Sequence, residues 1–430
     1  MTRPKICFYG LFGQGNLGNE ATLQAILHHT RRRFPDAELL CICTDPQDVS
    51  ARHGIAAVPI SSRHPHKMGR TAESRSPSGL VRWLRRVVIG VPRELADWLR
   101  TVRRLAGKDI LIVPGTGFLT DASSSAFGWP YDIFKWSLAA KICGCRLVYV
   151  GVGAGPVYRP LSRWFIRSAL SLADFRSYRD SSTMEYLVAM GFSRRVDRVC
   201  PDLAFSLPAA MLAGAPTEGR PRPVVGIGLM NSPARLSAEA PDPAVHRAYL
   251  RTMAELARWL LAHDYDVRLL IGDFVYDRDV LTEFAASLKQ EMAPGDRARV
   301  QDAPALSVEQ LVSQIAATDL VVATRFHNVL LALLLQRPVI SVSFHHKSVS
   351  LMRAMGLSER SRDIADVDVG WLIEQVQALG RSAPGLSVRV GERAEENRKM
   401  LDDQYDVIFD GVGTPAGRSE LVLRAGPPVA

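Results

Sequence analysis

Six cysteines in 430 residues are too few to frame a disulfide scaffold. They are Cys7, Cys41, Cys43, Cys143, Cys145 and Cys200, and both Cys-x-Cys pairs lie in apolar runs, LLCICT and KICGCRLVYVGVG. Residues two apart on a strand share a face, so each pair reads as two small core side chains. No second Cys-x-x-Cys and no complete His set supplies a zinc site, so no metal is expected. Reduced thiols point to a cytoplasmic protein. Long hydrophobic runs are also missing: no window offers the roughly 18 uncharged apolar residues of a membrane helix. The N-terminus, MTRPKICFYGLFG, enters a strand directly, without the apolar core of a signal peptide. Glycine (32) and proline (26) follow no collagen period. Acid is the scarcer charge, with 44 Asp+Glu against 53 Lys+Arg, for a net charge of +9. That balance favours an anionic partner without naming one.

What is present is an ordinary folded composition, 47% hydrophobic and 23% charged. The length suits two or three domains with ample core. KICFYG, ELLCICT, DILIVPG and CRLVYVGVG read as buried strands alternating with amphipathic helices. The alternation pauses at 207–223, rich in Pro, Gly and Ala, and restarts with PVVGIGLM, DVRLLIGDF, RARVQD, LVVATRF and PVISVSF. The expectation is α/β: a Rossmann-like domain over 1–206, a linker, and a second Rossmann-like domain over 224–400. A C-terminal helix and flexible tail follow over 401–430. Two such domains facing across a cleft bind ligands at the carboxyl ends of their strands.

The residues with chemistry fall at those ends. Gly13-x-Gly15-x-x-Gly18 follows the first strand and opens a helix, where backbone N–H groups favour an anion. It reads either as a dinucleotide fingerprint, with Asp45 near the end of the second strand, or as a tight turn without a ligand. Gly115-Thr116-Gly117 and Gly151-x-Gly153-x-Gly155 end two further strands and predict a crevice floored by backbone. In RSYRDSSTMEYL, Asp180 or Ser181 suits a helix N-cap, while Arg179 is free to grip a phosphate or carboxylate. In LVVATRFHNVLLALLLQRPVISVSFHHK, Arg325 and His327 interrupt an apolar stretch. His345, His346 and Lys347 follow the next strand and would add positive charge to the same cleft.

Taken in order, GNLGNE, the Gly-rich strand end before FLTD, VGVGAGP, RSYRDSSTMEYLVAMGF, PDLAF and TRFHNVLLALLLQRPVISVSFHHK resemble the polysaccharide pyruvyl transferase family. The resemblance covers roughly residues 5–357. It implies a GT-B-like pair of Rossmann domains and transfer of a pyruvyl group from phosphoenolpyruvate to a sugar, giving a ketal. Phosphoenolpyruvate would be the donor substrate, with no further cofactor. Family members commonly act on bacterial surface glycans or their lipid-linked precursors. The family's Arg-Leu-His element matches Arg325, Phe326 and His327, and the Arg of its Arg-Asp element matches Arg179. Asn19 stands where the family usually has Asp, and Gly-Thr-Gly stands where it often has Gly-Gly-Gly.

On this reading His327, Arg325 and Arg179 are catalytic, and Arg179, Arg325, Phe326, His327 and Lys347 bind the donor. Asn16, Asn19, Glu20, Thr116 and Asp121 face the acceptor. Phosphoenolpyruvate carries a carboxylate and a phosphate, which calls for two separated cations such as Arg179 and Arg325. His327 is the natural proton donor to the enol methylene carbon, or a stabiliser of the phosphate. Glu20 or Asp121 would take hydroxyl protons or orient the sugar. A nucleotide-sugar glycosyltransferase on the same fold is the second reading, and a non-catalytic glycan or lipid-phosphate binder the third.

The positive charge is concentrated. Residues 63–107 hold eleven Lys or Arg against three acids, a net +8, and the other 385 residues sum to +1. The stretch GLVRWLRRVVIGVPRELADWLRTVRRLAG mixes Trp, Leu and Val with Arg at helical spacing, with a break at Pro92. Two readings stand: a solvated helix face, or a peripheral contact with the inner face of the membrane in which Trp83 dips into the bilayer. No nucleic-acid recognition motif accompanies the charge, so that partner is not expected.

Overall fold

A computed structural model describes residues 3–61, 90–122, 124–193, 197–213, 220–231 and 243–413. The basic stretch up to residue 89, with Trp83, and the tail expected to be flexible beyond 413 lie outside the described residues.

Thirteen strands among the described residues form two parallel sheets. The first contains β1 (Lys5–Tyr9), β2 (Glu38–Cys43), β3 (Ala56–Pro59), β4 (Ile110–Pro114), β5 (Arg146–Val152), β6 (Phe175–Tyr178) and β7 (Arg198–Val199). Its order is β3-β2-β1-β4-β5-β6-β7. The second contains β8 (Val224–Leu229), β9 (Asp266–Ile271), β10 (Val300–Gln301), β11 (Leu320–Ala323), β12 (Val339–Ser343) and β13 (Ser361–Asp363), in the order β10-β9-β8-β11-β12-β13. Strands β4, β5, β8, β11 and β12 are buried at every residue, which is why they read as unbroken apolar runs rather than alternating ones. Each sheet reverses its winding once, between β1 and β4 in the first and between β8 and β11 in the second. Such switch points open the crevices in which doubly wound sheets hold ligands.

Helix starts are set by short polar caps. Asn16, Asp45, Asp180, Ser307 and Asp368 each accept a backbone N–H of the helix they precede. Asp180 is therefore the cap before helix Ser181–Ala189. Pro92 does not break the helix Val91–Leu105; it sits in the first turn, where its missing N–H costs no bond. Cys7, Cys41, Cys43, Cys145 and Cys200 are buried thiols, with Cys143 half-buried. Burial pushes the Cys7 thiol up to about 12.

The division expected after residue 400 falls inside a helix that runs unbroken from Val369 to Phe409. Leu401, Tyr405 and Ile408 continue its buried stripe, so nothing ends the helix there. Its last turns return to the first domain. Tyr405 stacks on His29 with ring centroids 4.2 Å apart, and its hydroxyl lies 2.7 Å from Ser206 Oγ. Arg146 donates to the carbonyl oxygens of Val407 and Asp410, at 3.0 and 2.6 Å.

Candidate active site

The glycine-rich turn after β1 joins the two domains. Leu17 N–H donates to Gly272 O at 2.9 Å, and Phe274 N–H donates to Gly15 O at 3.0 Å. These bonds flank an antiparallel bridge between Asn16 and Asp273. Gly15 has φ +89°, and a methyl group there would sit 2.5 Å from Val275 Cγ2. At Gly18 a methyl group would come within 1.8 Å of His327 Nδ1. Three more N–H groups of the turn are spent locally. Gly13 donates to Glu20 Oε1 at 2.7 Å, and Gly18 and Asn19 donate to Asn16 Oδ1 at 3.1 and 3.2 Å. A pyrophosphate would find these donors taken, and Asp45 is occupied as a helix cap. The motif works as a clasp between domains.

Four of the five residues expected to face an acceptor are committed to holding loops. Asn16 caps helix Leu17–Arg33. Asn19 Nδ2 donates to Leu11 O at 3.0 Å, a bond that the family's usual Asp, as a carboxylate, cannot donate. Glu20 is buried, with Oε1 on Gly13 and Oε2 2.9 Å from His53 Nε2. Asp121 is buried and accepts the N–H groups of Tyr158 and Arg159 at 2.8 and 3.1 Å. Burial would raise its carboxyl, but these donors hold it below its usual value. Thr116 differs: its buried hydroxyl has no partner among the described residues.

The residues expected to hold a donor come together, with one exception. Phe326 begins helix Phe326–Leu334, and two cations sit over its ring: the Arg179 guanidinium at 4.8 Å and Lys347 Nζ at 5.7 Å. A methyl group on Gly153 would lie 2.6 Å from Arg179 Nη2, so this strand end lets the guanidinium rest on backbone. A cavity of about 230 Å³ opens here between the domains, lined by Arg179, Asp202, Phe205, Phe326, Lys347 and Ser350 among others. Arg325 is the exception. It is held bidentately by Asp277, with Nε to Oδ2 at 2.9 Å and Nη2 to Oδ1 at 2.6 Å. Asp277 is fully buried, so Arg325 brings no uncompensated charge to the cavity.

Asp202, in the PDLAF segment, organises the other side. Its Oδ1 accepts Ala204 N–H at 3.0 Å. Its Oδ2 lies 3.5 Å from Arg179 Nη1 and 3.7 Å from His327 Nε2. Burial alone would raise this carboxyl, yet His327 and Arg179 hold it below its usual range. His327 Nε2 and Arg179 Nε are buried without a hydrogen-bond partner. Both atoms therefore keep hydrogen-bonding capacity that no protein group here takes up. Asp202 and Asp277 were not among the expected site residues. The signal available for them was a carboxylate set among apolar residues just after a strand.

Electrostatics sort the three cations expected after β12. Burial and Lys347 push His345 down to about 3, and its neutral Nδ1 accepts Lys347 N–H at 3.3 Å as a helix cap. His346 is also held below its usual value by burial and by Arg179 and Lys347. The expected addition of charge from this segment thus reduces to Lys347, which burial, Arg179 and Arg325 push down to about 7. His327 is lowered by burial, with Asp202 opposing, and is neutral in the empty site.

Two Rossmann-like domains with a cationic cavity between them define a GT-B-like architecture. Solved structures with this fold include UDP-GlcNAc 2-epimerase from Methanocaldococcus jannaschii, 10% identical, covering 94% of this chain and 100% of that chain, with a TM-score of 0.56. The glycosyltransferase SnogD from Streptomyces nogalater is 16% identical, covering 99% of this chain and 100% of that chain, with a TM-score of 0.50. At such identities the likeness speaks for the fold alone. The polysaccharide pyruvyl transferase family model matches residues 16–346, and the chain belongs to that family. The amylovoran biosynthesis protein AmsJ of Erwinia amylovora is 24% identical over 99 residues. That match covers 23% of this chain and 24% of AmsJ, so it spans about a quarter of the curated relative's length.

Proposed function

We propose that this transferase moves the pyruvyl group of phosphoenolpyruvate onto two hydroxyls of one sugar. The product is a ketal on a surface polysaccharide or its lipid-linked precursor. The observation that carries the reading is the pair of cations on one aromatic ring, Arg179 and Lys347 over Phe326, beside the unpartnered His327 Nε2. A planar enol with an anion at each end fits that arrangement: the cations take carboxylate and phosphate, and Phe326 forms the wall. His327, oriented by Asp202, delivers a proton to the methylene carbon while a sugar hydroxyl attacks the adjacent carbon. The carbon–oxygen bond to phosphate then breaks, phosphate leaves with its electron pair and the first hydroxyl's proton, and the second hydroxyl closes the ketal as its proton returns to His327. Thr116, whose hydroxyl has no partner among the described residues, is assigned to the sugar. Arg325, paired with Asp277, acts as a positioning residue at the start of the helix that carries His327.

The test is phosphate release from phosphoenolpyruvate with a panel of nitrophenyl and lipid-linked sugars, with mass spectrometry of the product. A mass gain of one pyruvyl ketal supports the reading. Thermal stabilisation by UDP and none by phosphoenolpyruvate would favour the nucleotide-sugar reading, which draws on the shared fold.

Lys347 gives this site a pH signature. With its pKa pushed down to about 7, Lys347 is only partly protonated near pH 7, and a dianion beside it draws the proton back. Affinity for phosphoenolpyruvate is expected to weaken as pH rises through 7, because above it binding must recruit the missing proton. Calorimetry at about pH 8, in buffers of differing ionisation enthalpy, should register uptake of about one proton. The Lys347→Arg variant, always charged, should lower that uptake, leaving only the share taken by His327. An affinity unchanged between about pH 7 and 8.5 would contradict this role for Lys347.

A further inference from the structure

The helices Val91–Leu105, Trp129–Ile142 and Pro160–Ser171 pack side by side on the first sheet, and the first of them has the usual polarity reversed. Their acids point inward. Lys135 is fully buried in the middle helix, with Nζ 2.6 Å from Asp97, 3.5 Å from Asp132 and 3.9 Å from Glu94. These three carboxylates are the only acids on the three helices. The second and third helices bury Ile133, Trp136, Phe165 and Ile166 as usual, but most apolar side chains of the first point outward. Val91, Leu95 and Leu99, at i, i+4 and i+8, form an outer stripe, with Leu95 60% and Leu99 57% exposed. Ile142, Leu161 and Phe127 are exposed as well, and Trp164 is 54% exposed. Phe134 and Phe165 join this surface from beneath: Trp164 lies 5.2 Å from Phe134, and Phe127 lies 6.0 Å from Phe165.

A surface helix normally buries its leucines and exposes its charges. On Val91–Leu105 an ion cluster occupies the inside, and apolar and aromatic side chains of the three helices meet solvent. Arg93, Arg103, Arg163 and Arg167 are exposed around it, so the rim is positive. That rim selects the occupant. Two copies packed face to face about a two-fold axis would set arginines against arginines. A bilayer with anionic headgroups offers both what the patch and what the rim need: an acyl boundary for Leu and Trp, and phosphates for Arg. Among the described residues no helix is long and apolar enough to cross a membrane, so contact through this face would be peripheral.

We propose that this three-helix face docks the protein on a bilayer containing anionic phospholipid. The proposal stands on this face and is independent of the donor chemistry. The test is flotation of the full chain with vesicles of phosphatidylcholine alone and of phosphatidylcholine with phosphatidylglycerol. The wild type is expected to float with the anionic vesicles and to be released by high salt. The Leu95→Ser/Leu99→Ser double variant and the Trp164→Ser variant should each lower the partition coefficient at least about tenfold. Both change exposed side chains, so melting temperature and turnover of a soluble acceptor should stay at the wild-type level. Variants that float like the wild type would overturn the proposal. So would equal flotation with neutral vesicles, or a dimer in sedimentation velocity that these substitutions dissolve, which would make a second copy the occupant. Deletion of 62–89 that abolishes flotation while the helix variants retain it would assign the contact to that segment and overturn the proposal too.

Discussion

Asp277→Ala is expected to lower the unfolding free energy by about 3–5 kcal/mol, the usual cost of removing one partner of a buried ion pair. Asp277 has no exposed surface, and both its oxygens face the Arg325 guanidinium, at 2.9 and 2.6 Å. Its Oδ1 also accepts Asn231 N–H at 3.0 Å. Burial on its own would lower the affinity of Arg325 for its proton, but Asp277 and Asp273 outweigh it and hold the cation firmly charged. Without Asp277 that charge stays in place and loses its bidentate counterion. Urea unfolding followed by circular dichroism measures the loss. The Asp277→Ala/Arg325→Met double variant should be less damaged than Asp277→Ala, because it buries no unpaired charge. A single-variant loss below about 1 kcal/mol would mean that solvent reaches the pair.

His327→Ala is expected to cut ketal-forming turnover by 10²–10⁴-fold, the range for a positioned general acid. The imidazole is fixed on one side by the Cα of Gly18, where no side chain fits, and on the other by Asp202 at 3.7 Å. In the empty site burial keeps it neutral. A phosphate or carboxylate beside it would favour the protonated form, so the ligand itself charges the acid that acts on it. The substitution removes a partly exposed ring from the domain interface, so melting temperature should move little beside the change in rate. Steady-state phosphate release, paired with a thermal melt, separates the two effects. Turnover within about threefold of wild type would show that His327 is not the proton donor.

Much of the fold is legible because its information is local. Fully buried strands such as β5 and β12 appear as short Val- and Ile-rich runs, and their spacing by amphipathic helices announces parallel sheets. Strand β7, two residues long, carries too little pattern to define a sheet edge, whereas the run RARVQD already marked β10. The helix past residue 400 is legible, but not its continuity with the segment before it, which shows only when Leu401, Tyr405 and Ile408 are seen to extend one buried stripe. At the site, Arg179, Phe326, His327 and Lys347 stand out as polar or aromatic interruptions at strand ends. Three of these four line the cavity itself, and His327 lies beside it against Asp202.

Pairing is where the sequence becomes silent. Arg325 and Arg179 look equivalent in one dimension, two arginines after buried strands. Only the folded chain sets Asp277 against the first and leaves Nε of the second without a partner. Gly13-x-Gly15-x-x-Gly18 has the same dual nature: its letters require a tight turn and a close approach, whatever makes that approach. The residues alone determined the two parallel-sheet domains, the family, and the strand ends at which chemistry sits, because burial period and backbone freedom are properties of neighbouring residues. Which glycine turn clasps a domain, which arginine stays cationic toward the cavity, and which helices wear their leucines outside were decided by tertiary structure. Charge compensation and close packing depend on what stands within a few ångströms in space, and that is set only when distant segments meet.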